Sequence, residues 1–257
     1  MRVSPTRRLL LGNPVSRTVL SAWGWLTIVA LVIVWTALVF ITWMVTAPFD
    51  RGRYWPGWVF RKVCVVHNWI NPLWRFHTSG VKVDDPRHPY VVVSNHESFV
   101  DMLLISHLPW EMKWMSKDML FKIPCLGWMM RMAGDIYLVR GSKASIVKAV
   151  QDSHDRLRKR VSVMMFPEGT RTGDGELGPF KDGAFRIAID AQVPILPLVL
   201  NGTREALSKG DWRMNVTSAE VRVLEPIPTT GLTADDVAGL RDRTRQLIAD
   251  ELVKMRG

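Results

Sequence analysis

Between Arg17 and Asp50 the chain carries no charged residue. The densest apolar part is residues 19–45, which contain the run from Ile28 to Trp35. As a helix this part would be about 40 Å long at 1.5 Å per residue. That is enough to cross the roughly 30 Å hydrocarbon core of a bilayer with some tilt, and it exceeds the ordinary core helix of a soluble protein. Trp23, Trp25 and Trp43 lie toward its two ends, where indole rings favour the headgroup boundary. A cleaved export signal fits poorly. Thr6-Arg7-Arg8 faintly resembles a twin-arginine signal and Val45-Thr46-Ala47 a cleavage site. The apolar stretch, however, is far longer than a signal's core of about 7–15 residues, and Pro48 follows the cut. The segment reads as an uncleaved membrane anchor.

The charge distribution points the same way. The net charge is +10, and residues 1–80 hold nine cations (Arg2, Arg7, Arg8, Arg17, Arg51, Arg53, Arg61, Lys62 and Arg75) against one acid, Asp50. Cations flanking an apolar segment suit anionic lipid headgroups; a nucleic-acid partner would call for a basic stripe and motifs that this sequence lacks. Four cations precede the segment and four follow it closely, so the positive-inside rule gives a tie. Either the segment enters and returns through one leaflet, or residues 55–76 form a second, interfacial element. Residues 58–70 mix large apolar groups with a few basic ones, as a helix in the headgroup plane does, although a soluble helix would look similar. The two cysteines, Cys64 and Cys125, make neither a disulfide framework nor a zinc site, which favours a reducing compartment.

After Gly80 short apolar runs alternate with helical patterns. Strands are expected over 90–93, 161–166, 195–200 and 220–224, and helices over 98–107, 144–160, 183–191 and 234–255. The alternation predicts an α/β fold, a mainly parallel sheet flanked by helices, behind an N-terminal hydrophobic membrane-anchoring helical segment. The expected division is an anchoring region at 1–79 and an α/β domain at 80–257.

Four blocks could carry chemistry. The first, Asn95 to Asp101, follows an expected strand, where α/β sheets often place catalytic groups. Histidine is the side-chain type whose unperturbed pKa lies near neutrality, so His96 suits a general base. If a helix follows the strand, Asp101 can reach the far ring nitrogen of His96, fix its tautomer and stabilise the imidazolium, with a substrate hydroxyl in the place of a serine. A lone His-x4-Asp is also easily coincidental. Ser98 offers a rival, a lipid hydrolase, but no Gly-x-Ser-x-Gly elbow surrounds it.

The second block is Phe166-Pro167-Glu168-Gly169-Thr170-Arg171, again at a strand's end. Gly169 permits positive φ or close approach, Thr170 can donate hydrogen bonds, and Arg171 offers a planar fork for phosphate oxygens. Glu168 is expected to orient Arg171 or hold the loop. An ordinary turn with an exposed ion pair is the plainer alternative. The third block runs from Lys117 to Gly127 and from Gly134 to Arg140, with Lys117 and Arg140 as further phosphate candidates. Its Met and aromatic residues suit an acyl groove or plain core packing. The fourth, Val193 to Pro197, carries no reactive group.

In order and spacing, these blocks resemble the glycerolipid acyltransferases, especially the 1-acylglycerol-3-phosphate (lysophosphatidic acid) acyltransferases. The resemblance covers roughly residues 80–225. His96 and Asp101 match the family's His-x4-Asp pair, and residues 166–171 match its Phe-Pro-Glu-Gly-Thr-Arg block. Glu97 and Phe99 stand at variable positions, and Thr172 stands where a serine often follows the arginine. The resemblance implies that His96 takes the proton from an acceptor hydroxyl attacking an acyl thioester, with Asp101 orienting it. Coenzyme A or acyl carrier protein would leave, lysophosphatidic acid would become phosphatidic acid, and no metal or prosthetic group would take part. Arg171, Lys117 and Arg140 would contact phosphate, with Glu168, Gly169 and Thr170 completing the substrate site. A cytosolic donor would place the site on the cytoplasmic face of the cell membrane, among membrane phospholipid. Another acceptor, such as glycerol 3-phosphate, is the sibling reading, and a non-catalytic membrane-binding protein the remaining alternative.

Overall fold

The computed structural model describes residues 4–171, 175–208 and 210–257. Arg2, Thr172 and the side chain of Arg8, named above, lie outside the described residues. After a short helix α1 (Pro5–Leu11), the uncharged stretch forms one helix, α2 (Pro14–Thr46). It starts where local chemistry dictates. The Asn13 side chain accepts from the Ser16 amide, and Pro14 fills the first turn, where no N–H is needed. It ends ahead of Pro48, which cannot continue a helix. α2 is a helix long and apolar enough to cross a membrane. Helix α3 (Tyr54–Ile70) folds back antiparallel to it. The Trp35 indole donates to the Val59 carbonyl (2.8 Å), and Thr27 Oγ1 lies 3.4 Å from His67 Nδ1.

The rest is a seven-stranded sheet in the order β1-β7-β6-β2-β5-β3-β4. The strands are β1 (Trp74–Gly80), β2 (Val91–Ser94), β3 (Met112–Lys117), β4 (Ile136–Leu138), β5 (Ser162–Met165), β6 (Ile195–Asn201) and β7 (Thr217–Val223). All neighbours pair in parallel except β6 and β7. The mainly parallel α/β architecture expected from the alternation is the one observed. Its connecting helices are α4 (Asp101–Ile105), α5 (Leu126–Ala133), α6 (Lys143–Arg158), α7 (Gly183–Ala191), α8 (Thr203–Ala206) and α9 (Val237–Arg256). Central strands covered on both faces must be apolar at every position, and Val91, Val92 and Val93 are each fully buried. Val91 and Val93 join Phe185 of α7 and Ile248 of α9 on one face, while Val92 joins Leu104 and Trp114 on the other. At about 25 cal/mol per Å² of apolar surface, each such side chain contributes on the order of 1.5–3 kcal/mol.

Three strands were not anticipated. β1 begins at Trp74, inside the stretch assigned to an interfacial element and ahead of the boundary expected at residue 80. Asn71 and Pro72 break α3, and β7 supplies β1 with a partner. β3 lacks a β-branched run and holds a fully buried Lys113, and β4 is three residues long. The helix expected over 98–107 is shortened to α4, because residues 95–100 form a turn instead.

α2 packs on this domain along most of its length. Leu20, Trp25 and Ile28 meet Trp74, Leu103, Met214 and Val216, while Val39 lies with Phe60, Met129 and Met130 of α3 and α5. Its opposite face leaves Val19, Leu26, Val29, Ile33, Ile41 and Val45 each more than half exposed. α3 is pinned to the sheet edge by a buried charge cluster. Arg61 pairs with Asp135, and Lys113 pairs with Glu111 at 2.9 Å and also donates to the Arg53 carbonyl.

Candidate active site

The site forms where β2, β5 and β6 end. Asn95, directly after β2, bonds both backbone groups of Leu200. Its Nδ2 donates to the carbonyl (2.9 Å), and its Oδ1 accepts from the amide (2.8 Å). A side chain thus continues the β2–β6 ladder and fixes how the chain leaves the sheet. The next residue, His96, donates its amide to Glu168 Oε1 (2.8 Å), while Glu168 Oε2 accepts from the Gly178 amide (3.1 Å). One buried carboxylate therefore staples together the segments that follow β2 and β5. Burial pushes the Glu168 carboxyl upward, and the two backbone donors oppose that.

Asp101 opens α4 and is fully buried. Its Oδ2 accepts three donors: His96 Nδ1 at 2.8 Å, the Glu97 amide at 2.7 Å and the Ser98 amide at 2.9 Å. The two amides hold the carboxylate, and the carboxylate holds the ring. With an acceptor at Nδ1, a neutral His96 carries its proton there and leaves Nε2 as a lone pair. The opposite constraint comes from Phe166, which stacks on the imidazole at 3.9 Å between centroids and 17° between planes. An imidazole fixed on two sides, whose Nε2 has no hydrogen-bond partner among the described residues, can accept a proton from a bound hydroxyl. Ser98 is placed differently. Its Oγ accepts from the Val100 amide at 3.2 Å and makes no hydrogen bond to His96.

Beside this pair lies a cleft of about 900 Å³ whose walls include Lys117, Thr170, Arg171 and Arg204. Lys117, Thr170 and Arg171 are exposed. Gly169 has φ +72°, and a Cβ there would stand 2.9 Å from Lys181 Nζ, so the turn that presents Thr170 and Arg171 needs glycine. Arg140 is engaged elsewhere: its guanidinium donates to the Gly169 carbonyl, which ties the third block to the second. Glu97, at the cleft's inner edge, is held by Arg256 of α9 at 2.7 Å. Burial chiefly, and then the Asp101 charge, push its carboxyl up to about 7, with Arg256 opposing.

Sequence reasoning missed Asn95, Arg204, Arg256 and the stacking role of Phe166. Asn95 and Phe166 had a usable signal, since each sits at the end of an expected strand beside a named block. Among the described residues no group of three or more His, Cys, Asp and Glu side chains is placed to hold a metal ion.

The site is thus a histidine–carboxylate pair at the strand ends of a mainly parallel α/β sheet, facing a cleft with Lys117, Arg171 and Arg204 on its walls. The model of the Acyltransferase family matches residues 75–201, from β1 to the end of β6, and this stretch is an Acyltransferase-family domain. It is 38% identical over 173 residues to human 1-acyl-sn-glycerol-3-phosphate acyltransferase alpha, covering 66% of this chain and 61% of that protein. It is 35% identical over 232 residues to the chloroplastic 1-acyl-sn-glycerol-3-phosphate acyltransferase BAT2 of Brassica napus, covering 84% of this chain and 63% of that one. The chain thus spans about three fifths of the length of the curated relatives it matches. The crystal structure of the 1-acyl-sn-glycerophosphate acyltransferase PlsC from Thermotoga maritima shares the fold, with a TM-score of 0.77 at 22% identity over 95% of this chain and 97% of that one.

Proposed function

We propose that the protein transfers a fatty acyl group from a thioester of coenzyme A or acyl carrier protein to the 2-hydroxyl of 1-acyl-sn-glycerol 3-phosphate, giving phosphatidic acid. The observation that carries this reading is the His96–Asp101 pair, with Nε2 open, beside a cleft walled by Lys117 and Arg171. The acceptor's phosphate binds Lys117 and Arg171 through charge-assisted bonds. Its hydroxyl then lies against His96 Nε2. As that oxygen attacks the thioester carbon, its proton passes to Nε2, and the Asp101 carboxylate stabilises the imidazolium. Collapse of the tetrahedral intermediate expels the thiolate, which takes the proton back from Nε2. Thr170, on the cleft wall, supplies a hydroxyl for hydrogen bonding to the substrate. Arg140, Glu168 and Gly169 act by shaping the loop that offers Thr170 and Arg171.

The exposed apolar face of α2 and the flanking cations anchor the enzyme to membrane phospholipid. In this reading residues 1–79 serve mainly as anchor and residues 80–257 as the catalytic domain, on the cytoplasmic face, where the thioester donor is available. The test is thiol release from acyl-coenzyme A by the purified protein in detergent, with and without 1-acylglycerol 3-phosphate. Acceptor-dependent release that vanishes in His96→Ala is the expected result. Release without acceptor points to a hydrolase, and release only with glycerol 3-phosphate or another lysolipid moves the acceptor.

A further inference from the structure

One wall of the cleft is built by Leu207, Ser208, Gly210, Asp211 and Trp212, and side chains of the apolar helix α2 fasten this wall. Arg17 donates to Asp211 Oδ2 (2.9 Å), to the Arg213 carbonyl (3.0 Å) and to the Met214 carbonyl (3.1 Å). One turn on, Ser21 Oγ accepts from the Met214 amide at 2.8 Å, and a further turn on Trp25 Nε1 donates to the Trp212 carbonyl at 2.8 Å. Between them Gly24 lets the strap lie flat, since a Cβ there would stand 2.9 Å from Met214 Sδ. A helical stripe of the membrane segment is thus spent on one loop.

The electrostatics give the strap a purpose. Asp211 and Glu97 are carboxylates on the wall of a cleft that, on the function proposed above, takes a phosphate monoester. Each is covered by arginine: Glu97 by Arg256, and Asp211 by Arg213 and Arg17. The Asp211 carboxyl is held down to about 2, chiefly by hydrogen bonds from Arg213 and then by Arg17, so it remains a charged anchor point.

We propose that Arg17 is a positioning residue for the acceptor. From the membrane helix it sets the outer wall of the cleft and neutralises Asp211 there, so that anchoring and binding of a phosphate-bearing lipid are coupled through one loop. The inference rests on the acyl-transfer reading, and the test separates the two. Acceptor KM and kcat are measured for wild type, Arg17→Ala, Arg17→Lys, Trp25→Phe and the double variant Arg17→Ala/Asp211→Asn. Amide exchange at Arg213 and Met214 and partition onto anionic vesicles are read on the same proteins.

Arg17→Ala is expected to raise the acceptor KM on the order of tenfold with kcat nearly held. Arg17→Lys should fall between it and wild type, and the double variant should recover much of the loss. Exchange at Arg213 and Met214 rises, and vesicle partition holds. Unchanged KM, or a fall in kcat that follows lost vesicle binding, overturns the proposal. If wild type shows no acceptor-dependent thiol release, the acyl-transfer reading fails, and unchanged exchange in Arg17→Ala then refutes the strap independently. Should Arg17→Ala not fold, Arg17→Lys and Trp25→Phe carry the same readouts.

Discussion

Replacing Asp101 with asparagine asks the most of the proposed chemistry, because the carboxylate serves two separable purposes. Its Oδ2 gathers the His96 ring and two backbone amides, and its Oδ1 is buried with no hydrogen-bond partner among the described residues. An asparagine that keeps its oxygen toward the three donors must bury its NH₂ where Oδ1 was. That leaves a donor unsatisfied at a cost of about 1–3 kcal/mol of stability. The kinetic cost is larger. In the transition state a full negative charge faces the forming imidazolium at a separation of about 4 Å, worth roughly 4 kcal/mol at an effective dielectric of about 20. Losing it slows the chemical step about a thousandfold. The assay is acceptor-dependent thiol release at saturating acceptor and donor, at a temperature where a melting curve shows the variant folded. A folded Asp101→Asn enzyme with kcat within about tenfold of wild type would refute the argument, since Asp101 would then be holding the turn and nothing more.

Arg171→Ala should raise the acceptor KM by about tenfold or more through loss of charge-assisted bonds to phosphate, with kcat little changed; an effect seen only in thermal melting would remove Arg171 from the site. Glu97 predicts a pH signature. Its folded carboxyl is raised to about 7, so between about 4.5 and 7 the native state holds a proton that the unfolded chain has released. This group therefore favours folding at low pH and loses that contribution as pH climbs through the window. Urea melts across this range should show a downward slope in wild type that is reduced in Glu97→Gln, and equal slopes would contradict it. Glu111→Gln should cost about 3–5 kcal/mol in chemical denaturation, because it strands the fully buried Lys113 ammonium; a change below about 1 kcal/mol would mean that water reaches the pair. Single cysteines at Ser16 and Arg51, with Cys64 and Cys125 replaced by serine, should label from the same side of sealed vesicles, and opposite-side labelling would exclude an anchor confined to one leaflet.

What the sequence made legible was local. The His96–Asp101 spacing could be read because both residues lie in one turn between a strand and a helix, so five residues of chain settle their distance. The contacts that make the pair rigid come from across the sheet. Phe166 and Glu168 reach His96 only because β2 and β5 are hydrogen-bonded neighbours, which no pattern within either segment reveals. Arg256 meets Glu97 by the same long-range logic. β3 was missed for a different reason. Lys113 reads as a surface residue until Glu111 and the Arg53 carbonyl are seen to enclose it. In α2 the apolar content hid a second message. Arg17, Ser21, Gly24 and Thr27 recur at helical spacing among the small or polar residues of a largely apolar helix, and that stripe lies on the face that packs. The stripe was present in the sequence and could have marked the helix as docked.

The docked face also bears on how the helix meets the bilayer. Arg17, bonded to the cleft wall, and Val39, buried beside α5, stand about 33 Å apart along α2 at 1.5 Å per residue. That span is close to the full thickness of a hydrocarbon core. If α2 stood across the membrane, the cleft wall would sit at one surface and α5 at the other. The Arg61, Glu111, Lys113 and Asp135 cluster under α3 would then be drawn into lipid, and charged groups there are costly. If α2 lies along the interface instead, its exposed apolar face meets the acyl chains, the charge cluster stays in the protein above them, and the cleft opens at headgroup level. That arrangement would keep both ends of α2 on one side of the bilayer, as the one-leaflet alternative requires, and on the function proposed above it would place Arg17 at headgroup level, where a phosphate-bearing lipid would meet the cleft.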